Sequence, residues 1–238
     1  EWVLYQEPSV CDLAEGGPLA ELRRFLGRGP APVAIGWGSM VARGMKPLEM
    51  LGLALRALRL ADRRGVILGG WAQLEKLTAG RTWVEELGED GEELTAFAAE
   101  NVCFVSEAPH EWLFPQCCAV VHHGGVGTLQ SALRAGKPAV ITPIFFDQFE
   151  HAAALNRLGA GVGLEKSLPE VRVAELAHAI SSAESKTAVA AALGQKMRQQ
   201  VGERNAAMII DEFLRKQVMT GLWGKSPKAA HRPRPTRK

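Results

Sequence analysis

The chain has 238 residues, 47% of them hydrophobic and 23% charged, with 28 Lys and Arg against 26 Asp and Glu. That balance belongs to an ordinary globular protein and excludes collagen-like or largely disordered chains, and so small a net charge makes no demand for nucleic acid. The length sits at the upper end of what one hydrophobic core supports, so one main domain with appendages is expected.

In chain order, the segment before Pro32 contains Pro8, Gly16, Gly17, Pro18, Gly29 and Pro30 and reads as an extended lead-in or linker over residues 1–31. PVAIGWGS (Pro32 to Ser39) reads as a first buried strand, followed by a helix over Pro47 to Ala61, where Leu48, Leu51, Leu55 and Leu58 recur at helical steps and Pro47 suits the first turn. GVILGGW (Gly65 to Trp71) is a second strand, and the acidic stretch up to Glu100 reads as loops with short helices. A third strand is predicted at Val102 to Val105 and a fourth at Ala119 to His123, then a helix over Val126 to Ala135 and a fifth strand at Ala139 to Thr142.

Helices follow over Phe149 to Leu158 and Glu170 to Ser182. A last helical stretch from Ala188 to Arg215 is expected to pack Val201, Met208, Ile209, Phe213 and Leu214 back on the domain. Apolar strands alternating with helices, without an internal repeat, predict an α/β fold with a Rossmann-like parallel sheet flanked by helices. The main domain is placed at residues 32–218. The tail from residue 219, basic from Lys225 to Lys238 and interrupted by Pro227, Pro233 and Pro235, is expected to stay solvated.

The cysteines Cys11, Cys103, Cys117 and Cys118 have no metal-ligand spacing, and the adjacent pair is poorly placed to bridge, which suggests a reducing, cytoplasmic setting. Neither a membrane-length apolar run nor a signal peptide is visible, so membrane association would be peripheral at most. A start at Glu1 rather than Met reads as a piece of a longer polypeptide.

The strongest motif is HHGGVGTLQSALRAGKP, His122 to Pro138. It puts two histidines at the carboxyl end of a strand and glycines in the turn that opens the next helix. Gly124, Gly125 and Gly127 leave room for close approach, the first helical amides lack intrahelical partners, and Thr128 adds a hydroxyl. A diphosphate is the ligand such a turn suits, and one histidine beside it would stabilise charge growing on a departing phosphate. Side chains alternate along a strand, which selects His123, nearer the turn, over His122, although a structural histidine at a strand end fits the same position.

The next carboxyl-edge loop, PIFFDQFEH (Pro143 to His151), offers Asp147 and Gln148 to vicinal hydroxyls, and the same pair also reads as a plain helix cap. Trp71 is a candidate for stacking on a base, with core packing as its alternative.

GWGSM (Gly36 to Met40), EAPHEWLFPQCCAVVHHGGVGT (Glu107 to Thr128) and the FFDQ segment together resemble the donor-binding signature of the UDP-glycosyltransferase family. The likeness is strongest to its sterol and lipid glucosyltransferase branch and to bacterial antibiotic glycosyltransferases, and it runs from about Pro32 to Leu164. It implies the C-terminal half of a GT-B fold and a UDP-hexose donor, UDP-glucose, as co-substrate, with no metal or other cofactor. It further implies inverting transfer to a hydroxyl of a lipophilic acceptor such as a sterol.

Position by position, the resemblance puts His123 and the backbone of Gly125, Val126, Gly127 and Thr128 on the diphosphate. It puts Asp147 and Gln148 on the sugar hydroxyls and Ala108, Pro109 and His110 beside uracil and ribose. Gly38 and Ser39 face the phosphates from across the cleft. Two departures stand out: Phe146 runs directly into Asp147 where lipid-type relatives carry Gly-Asp-Gln-Pro, and Glu107 replaces the tryptophan of plant-type relatives.

The family's acceptor-binding domain, with its catalytic histidine, does not fit before Pro32. His110 and His151 read as donor-side or surface residues and His178 lies on a late helix, so none of the three reads as a general base. The alternative is therefore a non-catalytic nucleotide-sugar-binding module that needs a separate acceptor-domain partner. A UDP-sugar epimerase lacks its catalytic groups in this sequence.

Overall fold

A computed structural model describes residues 17, 19–78, 82–200 and 202–223. Cys11, most of the lead-in, Val201 and the basic Lys225 to Lys238 tail lie outside the described residues. Six parallel strands form one sheet in the order β3-β2-β1-β4-β5-β6. They are β1 (Val33–Ile35), β2 (Gly65–Leu68), β3 (Val102–Val105), β4 (Ala119–His122), β5 (Ala139–Ile141) and β6 (Gly161–Gly163). This is the doubly wound arrangement expected from the alternation of strands and helices. Its order reverses between β1 and β4, where ligands of such sheets bind.

Strand alternation divides the core into two layers. Val33, Ile35, Ile67, Val121 and Val140 point to one side, where the helices Pro47–Leu60 and Val173–Glu184 cover them. Ala34, Val66, Val120 and Ile141 point to the other, against Leu133, Ala152 and Leu155. The helices also include Val126–Arg134 after β4 and Gln148–Leu158 after β5. None among the described residues is long and apolar enough to cross a membrane.

Two predictions are corrected here. The first concerns residues 1–31, read as an extended lead-in: Ala20–Leu26 is a helix whose Leu22 and Phe25 are buried. Each such side chain contributes about 1.5–3 kcal/mol on leaving water. Arg64 fixes the helix from the next layer, donating to Phe25 O at 2.6 Å and lying over the Phe25 ring.

The second is a strand that sequence reading passed over. β6 is only Gly-Val-Gly, and its glycines let the Gln148–Leu158 helix and β5 press against its backbone. Asn156 completes the contact by bonding both the N–H and the C=O of Gly163, at 2.8 and 2.9 Å.

The chain divides into two compact units between Met197 and Arg198. In the second, Gly202–Phe213 is helical, and Phe213 meets Trp223 edge to face at 5.0 Å. Met208, Ile209, Phe213 and Leu214 are exposed in this unit.

The acidic stretch before Glu100 is more helical than expected, with Gly91–Asn101 as its longest element. Arg56 holds it from the Pro47–Leu60 helix, bonding Asp90 at 2.6 and 2.9 Å and Leu87 O at 2.7 Å. The Asp90 carboxylate is spent on Arg56 rather than on capping its own helix, and that guanidinium holds it below the ordinary carboxylate range.

Candidate functional site

Parallel strands open their carboxyl ends onto one edge, so the loops after β1, β4 and β5 meet at the switch point, where such sheets bind ligands. Trp37, just past β1, donates its indole N–H to Thr142 Oγ1 at 2.9 Å, and Thr142 lies just past β5. The two loops are thereby tied across the end of β4. Beyond Trp37 the chain turns through exposed Gly38 and Ser39, with Met40 N–H donating to Trp37 O at 3.0 Å.

Gly38 has a φ of 60°, and a β-carbon there would lie 3.4 Å from His123 Cε1. The backbone angle favours glycine, while the imidazole lies at an ordinary contact distance from this turn.

The β4 loop is built around Gly124, whose φ is 95°. A β-carbon on Gly124 would come within 2.8 Å of Ile141 Cγ2, and one on Gly125 would collide with His123 Nε2. His123 is 9% exposed, and its Nδ1 is buried without a hydrogen-bond partner among the described residues. Burial pushes its pKa below the ordinary histidine value, and the nearby Asp147 carboxylate opposes that shift.

His123 thus sits as a neutral imidazole between the Gly38 turn and the amino end of the Val126–Arg134 helix. Gly125 is the cap residue of that helix and no side chain caps it, so its first amides are open to an anion. Val126 and Gly127 are exposed and Thr128 is half-buried, in reach of the same opening.

His122 is wholly buried and not a ligand-facing group. Its Nδ1 accepts the Gly124 N–H at 3.0 Å, so its proton is on Nε2, which has no partner among the described residues. Burial first, then the neighbouring His123, His110 and His151, push its pKa down to about 3. Four of the chain's six histidines thus gather around the glycine turn.

The loop after β5 carries Asp147 and Gln148 in different roles. Asp147 is exposed at the start of the Gln148–Leu158 helix, its side chain making no cap bond. Gln148 is buried, and its Oε1 accepts the N–H groups of Ile144 and Phe145 at 2.7 and 3.1 Å. Its carbonyl oxygen is therefore committed to the loop, leaving only its amide N–H groups for a ligand. Phe146 has a φ of 59° and is 83% exposed, beside exposed Phe145. Left-handed backbone at a bulky aromatic is strained, and little packing on the ring compensates it.

After β3, Ala108 is buried while Pro109 and His110 are half-buried. His110 stacks on Phe114 at 4.4 Å, and burial lowers its pKa. Trp71 lies 77% exposed after β2, its backbone N–H donating to Gly38 O at 2.9 Å. The indole is free of the core. His178 stands apart on the Val173–Glu184 helix, bonded to Ser182.

Residues 82–211, more than half of the chain, match the model of the erythromycin biosynthesis protein CIII-like C-terminal domain. The chain belongs to that family. It is thereby a member of the UDP-glycosyltransferases, as the GWGSM and HHGGVGT motifs led one to expect.

It is 37% identical over 144 residues to a sterol 3-beta-glucosyltransferase of Arabidopsis thaliana, covering 60% of this chain and 20% of that protein. It is also 35% identical over 159 residues to the vancomycin aglycone glucosyltransferase of Amycolatopsis orientalis, covering 66% of this chain and 33% of that one. The chain therefore spans a third or less of the length of these relatives.

Among solved structures, the glycotransferase of kitacinnamycin superposes with a TM-score of 0.57 at 24% identity, covering 77% of this chain and 43% of that one. A variant of Os79 from O. sativa in complex with UDP gives 0.63 at 15% identity, covering 82% and 43%. Both are GT-B glycosyltransferases, and at these identities they speak for the fold alone.

The structure brings Gly38, His123, the Gly124 to Thr128 turn and Asp147 to one edge. Sequence reasoning did not find the residues that fix this edge from behind: Trp37, Thr142, His122 and His151. The paired histidines were the only local signal. The rest depends on contacts between segments distant in sequence.

Proposed function

We propose that this domain binds UDP-glucose for inverting transfer of the hexose to a hydroxyl of a lipophilic acceptor such as a sterol. The observation that carries the reading is His123, lodged between the Gly38 turn and the uncapped helix at Gly125. As the acceptor oxygen attacks the anomeric carbon, the bond to UDP breaks and its electron pair moves onto the diphosphate. The helix amides, Thr128 and the imidazole N–H meet that charge, and fixed donors of this kind act without reorganising. This cradle performs the part that a metal ion would otherwise play. Asp147 accepts hydrogen bonds from sugar hydroxyls, and Trp71 and the Ala108 to His110 segment flank the base. The proton of the acceptor goes to a base outside this domain, supplied by an upstream acceptor domain.

Similarity to sterol 3-beta-glucosyltransferases from plant and yeast supports both the sugar and the acceptor class. Calorimetric titration of the chain with UDP, UDP-glucose and ADP-glucose, without added metal, tests the reading. UDP and UDP-glucose are expected to bind and ADP-glucose not. A His123→Ala, Gly125→Val double variant should lose UDP-glucose binding, and unchanged affinity would remove the site from this loop.

A further inference from the structure

We propose that His151 is a positioning residue for the diphosphate turn, acting with His122 as a two-sided imidazole clamp on Gly124. The proposal rests on the nucleotide-sugar reading above. Gly124 N–H donates to His122 Nδ1 at 3.0 Å, and His151 Nδ1 lies 2.7 Å from Gly124 O. A carbonyl oxygen only accepts, so the proton of this second bond is on His151 Nδ1, the opposite tautomer to His122. The two peptides that meet at the Gly124 α-carbon are thus held by two separate rings.

The clamp has work to do because Gly124 is glycine at φ 95°, a residue with wide backbone freedom when unheld. The direction of the Gly125 amide follows from the two torsions at Gly124, and the Val126 and Gly127 amides follow from these together with the torsions at Gly125. Fixing both its N–H and its C=O sets where those amides point before any ligand arrives.

His151 also reaches across from the neighbouring element. It lies in the first turn of the Gln148–Leu158 helix, and its own N–H donates to Asp147 O at 3.0 Å. From the same helix, Gln148 Oε1 holds the Ile144 and Phe145 amides. One helix start therefore joins the Asp147 loop to the glycine turn, and His151 is the hydrogen bond between them. The sugar and diphosphate subsites are held in register by a side chain that touches neither ligand.

The test compares His151→Asn with His151→Gln in the 238-residue chain. Asn carries its amide nitrogen at the place of Nδ1 and keeps a donor toward Gly124 O. Gln places its amide one bond further out and loses that donor, so both variants are polar and only one preserves the clamp. UDP and UDP-glucose affinities are measured by calorimetry and uridine affinity by NMR titration, alongside the melting midpoint.

His151→Gln is expected to weaken UDP and UDP-glucose about tenfold, the scale of a lost hydrogen bond to a buried group, while uridine stays within twofold. His151→Asn should stay within twofold of the parent for all three. Parental UDP affinity in His151→Gln overturns the clamp, as does an equal loss of uridine and UDP or a failure of Asn to rescue. If the parent chain itself binds no UDP, the nucleotide reading fails and the clamp falls with it.

Discussion

The two neighbouring loops at the carboxyl edge of the sheet, after β4 and after β5, are built on opposite plans. In the β4 turn every unusual backbone angle falls on glycine, at Gly124, and both polar groups of that residue are held by imidazoles. In the β5 loop the left-handed angle falls on Phe146, whose ring is in solvent, while the loop is held from below by one buried amide, Gln148. The first is a cradle with little freedom left in it. The second stores strain at its tip, next to the carboxylate assigned to the sugar. A phosphate is a fixed shape to be met by fixed donors, whereas strain concentrated at an exposed tip is a common mark of a segment selected for contact rather than for stability.

The comparison breaks most sharply at Gly125. A Gly125→Val change forces a side chain into His123 Nε2 and across the open helix end. UDP affinity should fall about 100-fold, the scale of losing one strong charge-assisted hydrogen bond, and calorimetry reads it. A fall of less than threefold would mean that the turn does not carry the diphosphate.

The buried imidazole offers the next largest effect. His122 has a folded pKa of about 3, depressed from an ordinary value near 6.5. The unfolded chain therefore binds the additional proton between those values, and its contribution is complete above about pH 6.5 and lost progressively as pH falls toward 3. The slope approaches about 1.4 kcal/mol per pH unit. His122→Asn keeps an acceptor for Gly124 N–H but cannot titrate. The difference in stability between parent and variant, followed by urea unfolding from pH 7 to pH 5, should narrow by about that amount per unit below pH 6.5. A constant difference would show that His122 is not buried neutral.

The smallest effect is at the strained tip, and it has the opposite sign. Phe146→Gly removes an exposed ring and relieves the left-handed backbone, which should raise stability by about 1 kcal/mol and the melting midpoint by about 3 °C. Calorimetric scanning decides it, and a lower midpoint would mean that the Phe146 ring packs in solution.

Much of this site was legible because it is local in sequence. Glycines at a strand-to-helix turn, a histidine before them and an acid at the next helix start follow from backbone geometry within a few residues. The Gln148 Oε1 bonds, the buried state of His122 and the exposure of Trp71 were not legible. A glutamine beside an aspartate looks the same whether its oxygen faces a ligand or its own loop. An indole after a strand carries no local mark of whether a neighbouring helix covers it.

The chain by itself determined the parallel sheet, because runs such as PVAIGW, GVIL and AVVHH are apolar on both faces and suit only strands covered from two sides. It also marked the turn proposed for the diphosphate, since the left-handed angle at Gly124 and the approach of Gly125 to His123 favour glycine. Tertiary structure alone decided that Leu22 and Phe25 form a core helix and that Gly161–Gly163 is the sixth strand. It alone decided that His151 reaches back to Gly124. Each of these rests on a partner more than twenty residues away, Arg64, β5 or the glycine turn, and short segments with weak propensity take their structure from what they pack against.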